Sequence, residues 1–387
     1  MIDNWVIHKL GDRLIYVVNG IKTAKYCNEI NKDILLKFHN QLFAEGLSIP
    51  RVVKYLTLLC QIDKKINKDF TKVDKQDIVD YLTWLETSHY SEYTKKDFKV
   101  TLKKFYKWQN NGTLPSHISW ISCKLSDRKK MMPQELLTQD DIIKLIQNAG
   151  NDRNKAFIST LYESGCRIGE LMTLKLKQVS FDNYGAILMV HGKTGSRRIR
   201  IISSSNLIGK WLNNHPDSTN KDNYLWSNLR RNELISYDYI RHLLKVISKK
   251  SKIGKKVNPH SFRHARATHL ANKLTEAQMK EYFGWTQGSN MASVYVHLSG
   301  RDVDSAILSL HGLKMEKTEE DMMRSIGCSC GELNNPANNY CNKCGKPLRT
   351  ETAVQLDDKK KEISNIINAL IKDPEIFEKL KLVVQTK

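Results

Sequence analysis

The sequence predicts a mainly α-helical protein with one small β-sheet, an α+β fold of 387 residues. Apolar residues recur at helical spacing from Cys27 to about Asn111. Two such faces are Ile34, Leu35, Phe38 and Leu42, and Phe98, Leu102, Phe105 and Tyr106. Residues 185–202 differ, because two apolar-rich runs flank a turn of Gly, Lys, Thr and Gly. That pattern indicates a β-hairpin.

The order of these patterns divides the chain into predicted segments. They are an N-terminal arm or short hairpin (1–20), a helical domain (21–115), a basic, proline-marked linker (116–136), a larger domain (137–314), a cysteine cluster (315–350) and an amphipathic helical tail (351–387). In the larger domain, helices are expected near 142–148, 155–164, 207–213, 237–249 and 261–272. Thr138 and the acidic residues after it are typical of a helix start.

The charge of the chain favours a polyanionic partner. Its net charge is +21 and its pI is about 9.5. The excess lies in residues 1–350, because 351–387 carry seven Lys against seven Asp or Glu. No run approaches the roughly 18 apolar residues of a membrane span, and the first twenty residues lack a signal peptide's apolar centre. We therefore expect nucleic acid as the partner, no membrane contact and a cytoplasmic protein.

Four of the eight cysteines cluster within seventeen residues near the C-terminus: Cys328, Cys330, Cys341 and Cys344. The second pair resembles a zinc-knuckle turn, with Gly345 freeing backbone N–H groups to reach the thiolates. Four thiolates suit tetrahedral zinc with no open position, so the predicted metal is structural. The alternative is a loose, reduced tail. We expect the cluster to order a small knob that carries the apolar stripe of the tail, residues 363–371.

Residues 259–297 hold the main functional pattern. His260 stands at the start of a predicted helix and Arg263 follows one turn later, so both can point at one site. A helix N-terminus with an adjacent arginine favours phosphate binding. A glycine turn, Gly284-Trp285, comes next, and Tyr295 follows between two valines.

This pattern resembles the second signature box of the tyrosine recombinase (phage integrase) family. That box runs His-x-x-Arg, then Gly-His or Gly-Trp, then a nucleophilic Tyr. The first box of the family is matched by Glu163-Ser-Gly-Cys-Arg167-Ile-Gly-Glu170-Leu-Met. The resemblance covers roughly residues 30–312 and is to archaeal-type integrases, with the cysteine cluster as an addition. The step from Trp285 to Tyr295 is one residue longer than usual, which a glycine loop absorbs easily.

The resemblance implies a metal-free cleavage site in which Tyr295 attacks the phosphorus. Arg167 and Arg263 would hold the non-bridging oxygens, which guanidinium groups do better than lysine. Lys193 would protonate the departing 5′ oxygen, with Arg197 and Arg198 as nearby substitutes.

Three further side chains complete this implied site. His260 would act as general acid or base at the tyrosine oxygen. Trp285 can only donate a hydrogen bond, so it would hold the phosphate or pack Tyr295. Glu170 would orient Arg167. The remaining histidines near the box are expected to be structural: His264, His269 and His297.

The implied function is site-specific cutting and rejoining of duplex DNA through a 3′-phosphotyrosyl intermediate, within a synaptic tetramer. The helical domain would clamp one side of the duplex. Residues 328–387 would contact a protomer or another protein, and DNA cleavage itself would not need them. A type IB topoisomerase and an inactive DNA-binding relative are the alternatives. Expected DNA contacts are Lys95, Lys99, Lys103, Arg128, Lys129, Lys130, Arg197 and Arg198.

Overall fold

A computed structural model describes residues 10–25, 27–124, 135–192, 194–229, 233–298, 307, 310–312 and 323–372. The chain forms two compact units, 1–130 and 131–387. Helices dominate the described residues, and the sheets among them are one of three strands and one of two. The predicted fold class, mainly α with a small β-sheet, is therefore confirmed. None of the helices in these ranges is long and apolar enough to cross a membrane.

Six helices build the described part of the first unit. They are α1 (Leu10–Thr23), α2 (Glu29–Ala44), α3 (Ile49–Ile66), α4 (Lys75–Thr87), α5 (Glu92–Gln109) and α6 (Ser116–Ser119). Capping side chains set where several of them begin. The Asp74 carboxylate accepts from the backbone N–H groups of Gln76 and Asp77 at the start of α4.

The predicted apolar faces of α2 and α5 form the core of this unit. Phe38 and Phe105 are fully buried, and their rings meet edge-to-face at 5.3 Å. Phe70 packs on Phe105 with ring centroids 4.9 Å apart. Such aromatic contacts add to the free energy of burying the rings. The two faces predicted from helical spacing are therefore confirmed.

The predicted hairpin within residues 1–20 is wrong for the part that the structure describes. Residues 10–23 form α1, in which Ile21 is buried and Leu14 and Val17 pack against the same core. These three apolar residues lie three to four positions apart, which places them on one helical face.

The second unit contains the larger helical body and both sheets. Its elements are α7 (Gln139–Gln147), α8 (Asp152–Ser164), α9 (Ile168–Met172), β1 (Val179–Asp182), β2 (Gly185–Gly192), β3 (Gly195–Ile201), α10 (Ser205–Asn213), α11 (Tyr237–Lys250), α12 (Pro259–Ala271), α13 (Glu276–Phe283), α14 (Met291–Leu298), β4 (Ile326–Gly327), β5 (Leu333–Asn334) and α15 (Thr350–Lys372). The predicted helices and hairpin of this region are all present. The family resemblance also predicts a trailing helix over residues 302–311, of which 302–306, 308 and 309 lie outside the described part.

Helix α8 is the centre of this unit, since it packs against α7, α10, α12 and β3. Near its C-terminal end, the Glu163 carboxylate accepts hydrogen bonds from three successive backbone N–H groups, those of residues 202–204, at 2.7–2.9 Å. These bonds fix the corner between β3 and α10. The helix ends at Gly165, whose φ of +56° is the left-handed conformation that glycine adopts without strain.

The cysteine cluster docks on α8 and α10 instead of standing apart as the predicted knob. Asn335 is fully buried, and its amide donates to the Ser159 hydroxyl at 2.9 Å and the Ser203 carbonyl at 2.8 Å. Asn206 donates to Glu332 at 2.7 Å. A buried amide with satisfied hydrogen bonds specifies one docking geometry. The cluster is therefore an integral part of the second unit.

Candidate active site

Three helices carry the residues of the two predicted boxes. Arg167 is the N-cap residue of α9, two positions beyond Gly165. Arg263 lies in α12, which begins at Pro259 behind a capping box formed by Asn258. Tyr295 lies in α14. The structure gathers them because α12 packs against α8 and α14.

A buried carboxylate, Glu170, holds two arginines at this site. Its Oε1 accepts from the Arg167 guanidinium at 2.9 Å, and its Oε2 accepts from the Arg167 backbone N–H at 3.0 Å. Arg197, from β3, donates to Oε2 at 2.7 Å. Arg197 also donates to the Tyr282 carbonyl at 3.0 Å, which ties the hairpin to α13. The expected orientation of Arg167 by Glu170 is geometrically satisfied.

The electrostatics of this cluster favour the ionised carboxylate. Burial by itself would raise the pKa of Glu170, but the hydrogen bonds and charges of Arg197 and Arg167 outweigh burial and lower the pKa below its usual value. The Arg167 side chain is 36% exposed, whereas that of Arg197 is 9% exposed. Arg167 can therefore present N–H groups to a ligand, and Arg197 serves chiefly to fix Glu170.

Arg263 is buried and anchored by the backbone. Its guanidinium donates to the carbonyls of Gly165 and Phe283, each at 2.7 Å. Burial first, and then the charge of Arg167, lower the pKa of Arg263 to about 10, which still leaves it charged at neutral pH. Its guanidinium carbon also lies 5.6 Å from the centre of the Trp285 ring.

Tyr295 is buried between an indole and an imidazole. The Trp285 and Tyr295 rings stack in parallel, 5.5 Å apart with an interplanar angle of 2°. The Tyr295 hydroxyl forms a hydrogen bond with His264 Nδ1. Burial raises the pKa of Tyr295 to about 12, and the charge of Arg263 offsets only part of that shift. The hydroxyl is therefore protonated at neutral pH, and a base must accept its proton before it can attack.

His260 lies near this pair but does not hold the tyrosine hydroxyl. Its ring centroid is 6.4 Å from that of His264. Burial, and then the charges of Arg263 and Arg167, lower the pKa of His260 below its usual value. The expected acid–base partner of Tyr295 was His260, but the imidazole in contact with the hydroxyl is that of His264.

Several predicted residues are not brought to this site or lie outside the described residues. Lys193, Arg128, Lys129 and Lys130 lie outside the described residues. Of His297, only the backbone is described. Lys95 is buried, donates to the Glu86 carbonyl and pairs with Glu92, which gives it an intramolecular role in place of the predicted DNA contact. Lys99 pairs with Glu86, and Lys103 donates to the Ser119 carbonyl.

The sequence reasoning missed His264 and the inward role of Arg197. His264 follows His260 by four residues, so both stand on one face of α12, and that spacing was the available signal. Arg197 stands two residues before the buried Ile199, so both lie on the inward face of β3, and that spacing was the available signal. Its partners, Glu170 and the Tyr282 carbonyl, are distant contacts that no local pattern reveals. His269 has the scaffold role predicted for it, since its Nδ1 lies 2.7 Å from the Tyr162 hydroxyl.

Comparisons with known proteins agree with this geometry. A profile of the phage integrase family matches residues 135–301. Tyrosine recombinase XerA of Pyrococcus horikoshii is 28% identical over 286 residues, covering 72% of this chain and 93% of that protein. Tyrosine recombinase XerD of Oceanobacillus iheyensis is 23% identical over 289 residues, covering 71% and 96%.

Solved structures share the fold. A lambda integrase dimer bound to a COC′ core site aligns with a TM-score of 0.57 at 17% identity, over 70% of this chain and 78% of that one. XerH recombinase bound to a palindromic difH substrate aligns with a TM-score of 0.53 at 17% identity, over 78% and 95%. These likenesses define an integrase-type fold. Residues 135–301 match the phage integrase family, and the chain is similar to tyrosine recombinases over more than nine-tenths of their length.

The buried carboxylate predicts a pH-dependent loss of stability in Glu170→Gln. At neutral pH the free energy of unfolding of this variant should be lower than that of the wild type by about 3 kcal/mol, because two guanidinium groups lose their counter-charge. Since the folded pKa of Glu170 is lowered, its stabilisation is complete above the unfolded pKa of about 4.3 and disappears as pH falls through the folded pKa. Calorimetric unfolding at pH 7 and at pH 3 measures the difference.

Asp182→Asn is the matched control, because Asp182 pairs with Arg200 at a more exposed position. It should leave the free energy of unfolding nearly unchanged at both pH values, because an exposed ion pair is screened by water. A Glu170→Gln penalty that is the same at both pH values, or absent at pH 7, would contradict the account of Glu170.

Proposed function

We propose that this chain is a site-specific recombinase that cuts and rejoins duplex DNA through a 3′-phosphotyrosyl bond to Tyr295. The observation that carries the proposal is the convergence of two arginines and one buried tyrosine around Trp285. Arg263 lies over the indole, Tyr295 stacks on it, and Arg167 donates to the carbonyl of the neighbouring Gly284 at 3.1 Å.

The chemistry of phosphodiester cleavage explains why these residue types belong together. As the tyrosine oxygen attacks, negative charge grows on the non-bridging oxygens of the phosphorus. Arg167 and Arg263 are placed to donate to those oxygens, and backbone contacts hold Arg263 before DNA arrives. Lys193, at the turn between β2 and β3, is our proposed acid for the departing 5′ oxygen. Cleavage then uses protein groups alone, without a catalytic metal or nucleotide.

The relatives favour recombination over the two alternatives. Proteins that match more than nine-tenths of their own length to this chain are named tyrosine recombinases. That agreement supports a strand-exchanging enzyme over a type IB topoisomerase. The complete set of Arg167, Arg263, His260, Trp285 and Tyr295 supports an active enzyme over an inactive DNA-binding relative.

The proposed partners are duplex DNA and further copies of this chain. Among the similar structures are a lambda integrase dimer on a core site and a lambda integrase tetramer on a Holliday junction. The net charge of +21 fits a phosphate-rich partner. We assign this chain the same kind of assembly, a tetramer on DNA, in the cytoplasm, where thiols stay reduced.

The proposal predicts that Tyr295→Phe abolishes covalent capture of DNA while binding survives. Only one hydroxyl is removed, and the ring that stacks on Trp285 remains. The measurement uses a suicide duplex nicked near the cleavage site, in magnesium-free buffer, with denaturing gels for the adduct and gel shift for affinity. Tyr282→Phe, which loses a hydroxyl bonded to the Glu163 carbonyl, is the matched control and should still form adduct.

An adduct that persists in Tyr295→Phe would place the nucleophile elsewhere. Absence of any adduct in the wild-type chain, on the DNA that it binds in cells, would argue for the inactive relative. Relaxation of supercoiled plasmid by the monomer without strand exchange would favour the topoisomerase.

The cysteine cluster fits a structural zinc ion. The four Sγ atoms lie within 4.8 Å of one another, with Cys328–Cys344 at 3.5 Å and Cys330–Cys341 at 3.7 Å. Zinc with Zn–S bonds of about 2.3 Å would separate its sulfurs by about 3.8 Å. Zinc bound here would cross-link the β4–β5 connection, which contributes Cys328 and Cys330, to the segment after β5, which contributes Cys341 and Cys344.

Each cysteine pair ends in the same kind of turn. Gly331 and Gly345 follow Cys330 and Cys344, and both have positive φ, +85° and +73°. The Gly331 and Gly345 N–H groups donate to the carbonyls of Cys328 and Cys341. The Asn334 amide contacts the Cys341 sulfur at 3.5 Å. Two turns of one geometry facing each other are what a tetrathiolate site requires.

We further propose that cleavage depends on this zinc, because the cluster docks against the helix that leads to Arg167. Asn335 binds Ser203, and Ser203 is also held by Glu163 at the end of α8. Loss of the metal would release this corner and loosen the α8–α9 connection. This replaces the expectation that DNA cleavage does not need the cluster.

The zinc proposal predicts one zinc ion per chain and its loss in Cys341→Ser. That variant should also have a lower thermal midpoint and slower adduct formation on the suicide duplex. Cys123→Ser, in the first unit, is the matched control and should keep metal, stability and rate. Elemental analysis without zinc in freshly purified protein, or wild-type adduct formation by metal-free Cys341→Ser, would contradict the respective half of the proposal.

The C-terminal helix α15 is our candidate for protein contacts. It carries aliphatic side chains that are about half exposed: Val354, Ile363, Ile366, Ile367 and Leu370. Burying such a stripe gains roughly 25 cal/mol per Å² of apolar surface. Residues 351–387 have no net charge and so gain little from a phosphate backbone. We therefore assign this helix to contacts with a protomer or another protein.

A further inference from the structure

The imidazole at the tyrosine hydroxyl belongs to a residue outside the set implied by the family boxes. His264 immediately follows Arg263 in α12, and its Nδ1 is hydrogen-bonded to the Tyr295 hydroxyl. The His264 and Tyr295 rings lie 5.8 Å apart. Within the described ranges, no other side chain forms a hydrogen bond with the Tyr295 hydroxyl.

We propose that His264 is the catalytic base that accepts the proton of Tyr295 when the tyrosine attacks DNA. This inference rests on the proposed function and adds a residue to it. In the tautomer that this proposal requires, His264 Nδ1 accepts the hydrogen bond from the Tyr295 hydroxyl and Nε2 carries the hydrogen. A neutral imidazole in that tautomer is already in position to take the proton.

The charges around His264 keep it neutral. The groups facing it are His260 and Arg263 on its own helix and Tyr295 on α14. Burial first, and then the charges of His260 and Arg263, lower the pKa of His264 below its usual value. At neutral pH the imidazole can therefore accept a proton. Arg263 lies beside it and also stabilises the anionic form of Tyr295.

The step balances in protons and bonds. The Tyr295 oxygen forms a bond to phosphorus, the bond from phosphorus to the 5′ oxygen breaks, and the tyrosine proton moves to His264 Nδ1. The departing 5′ oxygen takes a proton from the acid that we assign to Lys193. In rejoining, the 5′ hydroxyl attacks phosphorus and returns its proton to Lys193, the bond from phosphorus to the Tyr295 oxygen breaks, and the His264 imidazolium returns its proton to that oxygen.

A second histidine of α12 makes a similar contact with a tyrosine hydroxyl. His269 Nδ1 lies 2.7 Å from the hydroxyl of Tyr162, a buried tyrosine of α8. His264 and His269 of α12 thus both bind a tyrosine hydroxyl through Nδ1, but only Tyr295 stacks on Trp285 beside Arg263. Substitution of His269 therefore serves as an internal control, because it shows what losing such a hydrogen bond does to folding alone.

The test measures single-turnover adduct formation on the suicide duplex by the full-length chain between pH 5 and pH 9. His264→Asn should slow the reaction by about a hundredfold or more, the usual contribution of a general base. His269→Asn should react close to the wild-type rate once folded. His264→Ala should bind DNA normally, react slowly and recover rate when imidazole is added to the buffer.

Rescue separates a base from a structural contact, because free imidazole restores proton transfer and not packing. Adduct formation by His264→Asn at the wild-type rate or faster would overturn the proposal and make the contact a resting position of the tyrosine. So would a slow His264→Ala that binds DNA but is not rescued. Rescue of His260→Ala in its place would assign the base to His260. Failure of the wild-type chain to form any adduct would refute the proposed function, a separate outcome.

Discussion

The ion cluster centred on Glu170 is the interaction on which the site depends. One carboxylate, removed from water, is shared by a guanidinium from each of two elements, α9 and β3. A carboxylate or a guanidinium buried alone would cost several kcal/mol, so each of these groups makes the burial of the others possible. The carboxylate fits closely, because a Cβ on Gly192 would lie 2.2 Å from Glu170 Oε1. Arg167 is thereby fixed before any phosphate arrives.

A second set of contacts connects the back of the unit to this cluster. Glu163 lies where the two meet: its carboxylate holds the β3–α10 corner, and its carbonyl accepts from the Tyr282 hydroxyl near the site. Asn335 of the cysteine cluster binds the same corner from the other side. The hydrogen bonds of these buried groups are satisfied within one unit, and such networks transmit a local change as a shift in geometry. The zinc proposed for the cysteine cluster would act on the arginine site through these contacts.

The sequence predicted the parts of this fold that local patterns encode. Helical spacing placed Phe38 and Phe105 in a core, and Thr138 was rightly taken as a helix cap. The hairpin offered for residues 1–20 was wrong, since residues 10–23 form a helix. The sequence also failed to predict contacts between residues far apart along the chain. The docking of Asn335 on Ser203 joins residues more than a hundred positions apart, and no periodicity reports such a pairing.

The site divides in the same way. Arg167, Arg263, Trp285 and Tyr295 were found from their boxes because spacing along the chain defines a box, and the structure brings them together. His264 was taken as scaffold, since helical spacing says which face it shares with His260 and not what that face meets. Its partner was decided by the packing of α14 on α12.

The central claim is that Tyr295 becomes covalently attached to the 3′ phosphate of the cut strand. The most direct measurement is mass spectrometry of the protease-digested adduct, with the chemical state of the released DNA end determined in the same sample. The account predicts a nucleotide on the peptide containing Tyr295 and a free 5′ hydroxyl on the departing strand. A nucleotide on any other residue, or a linkage through a 5′ phosphate, would contradict it.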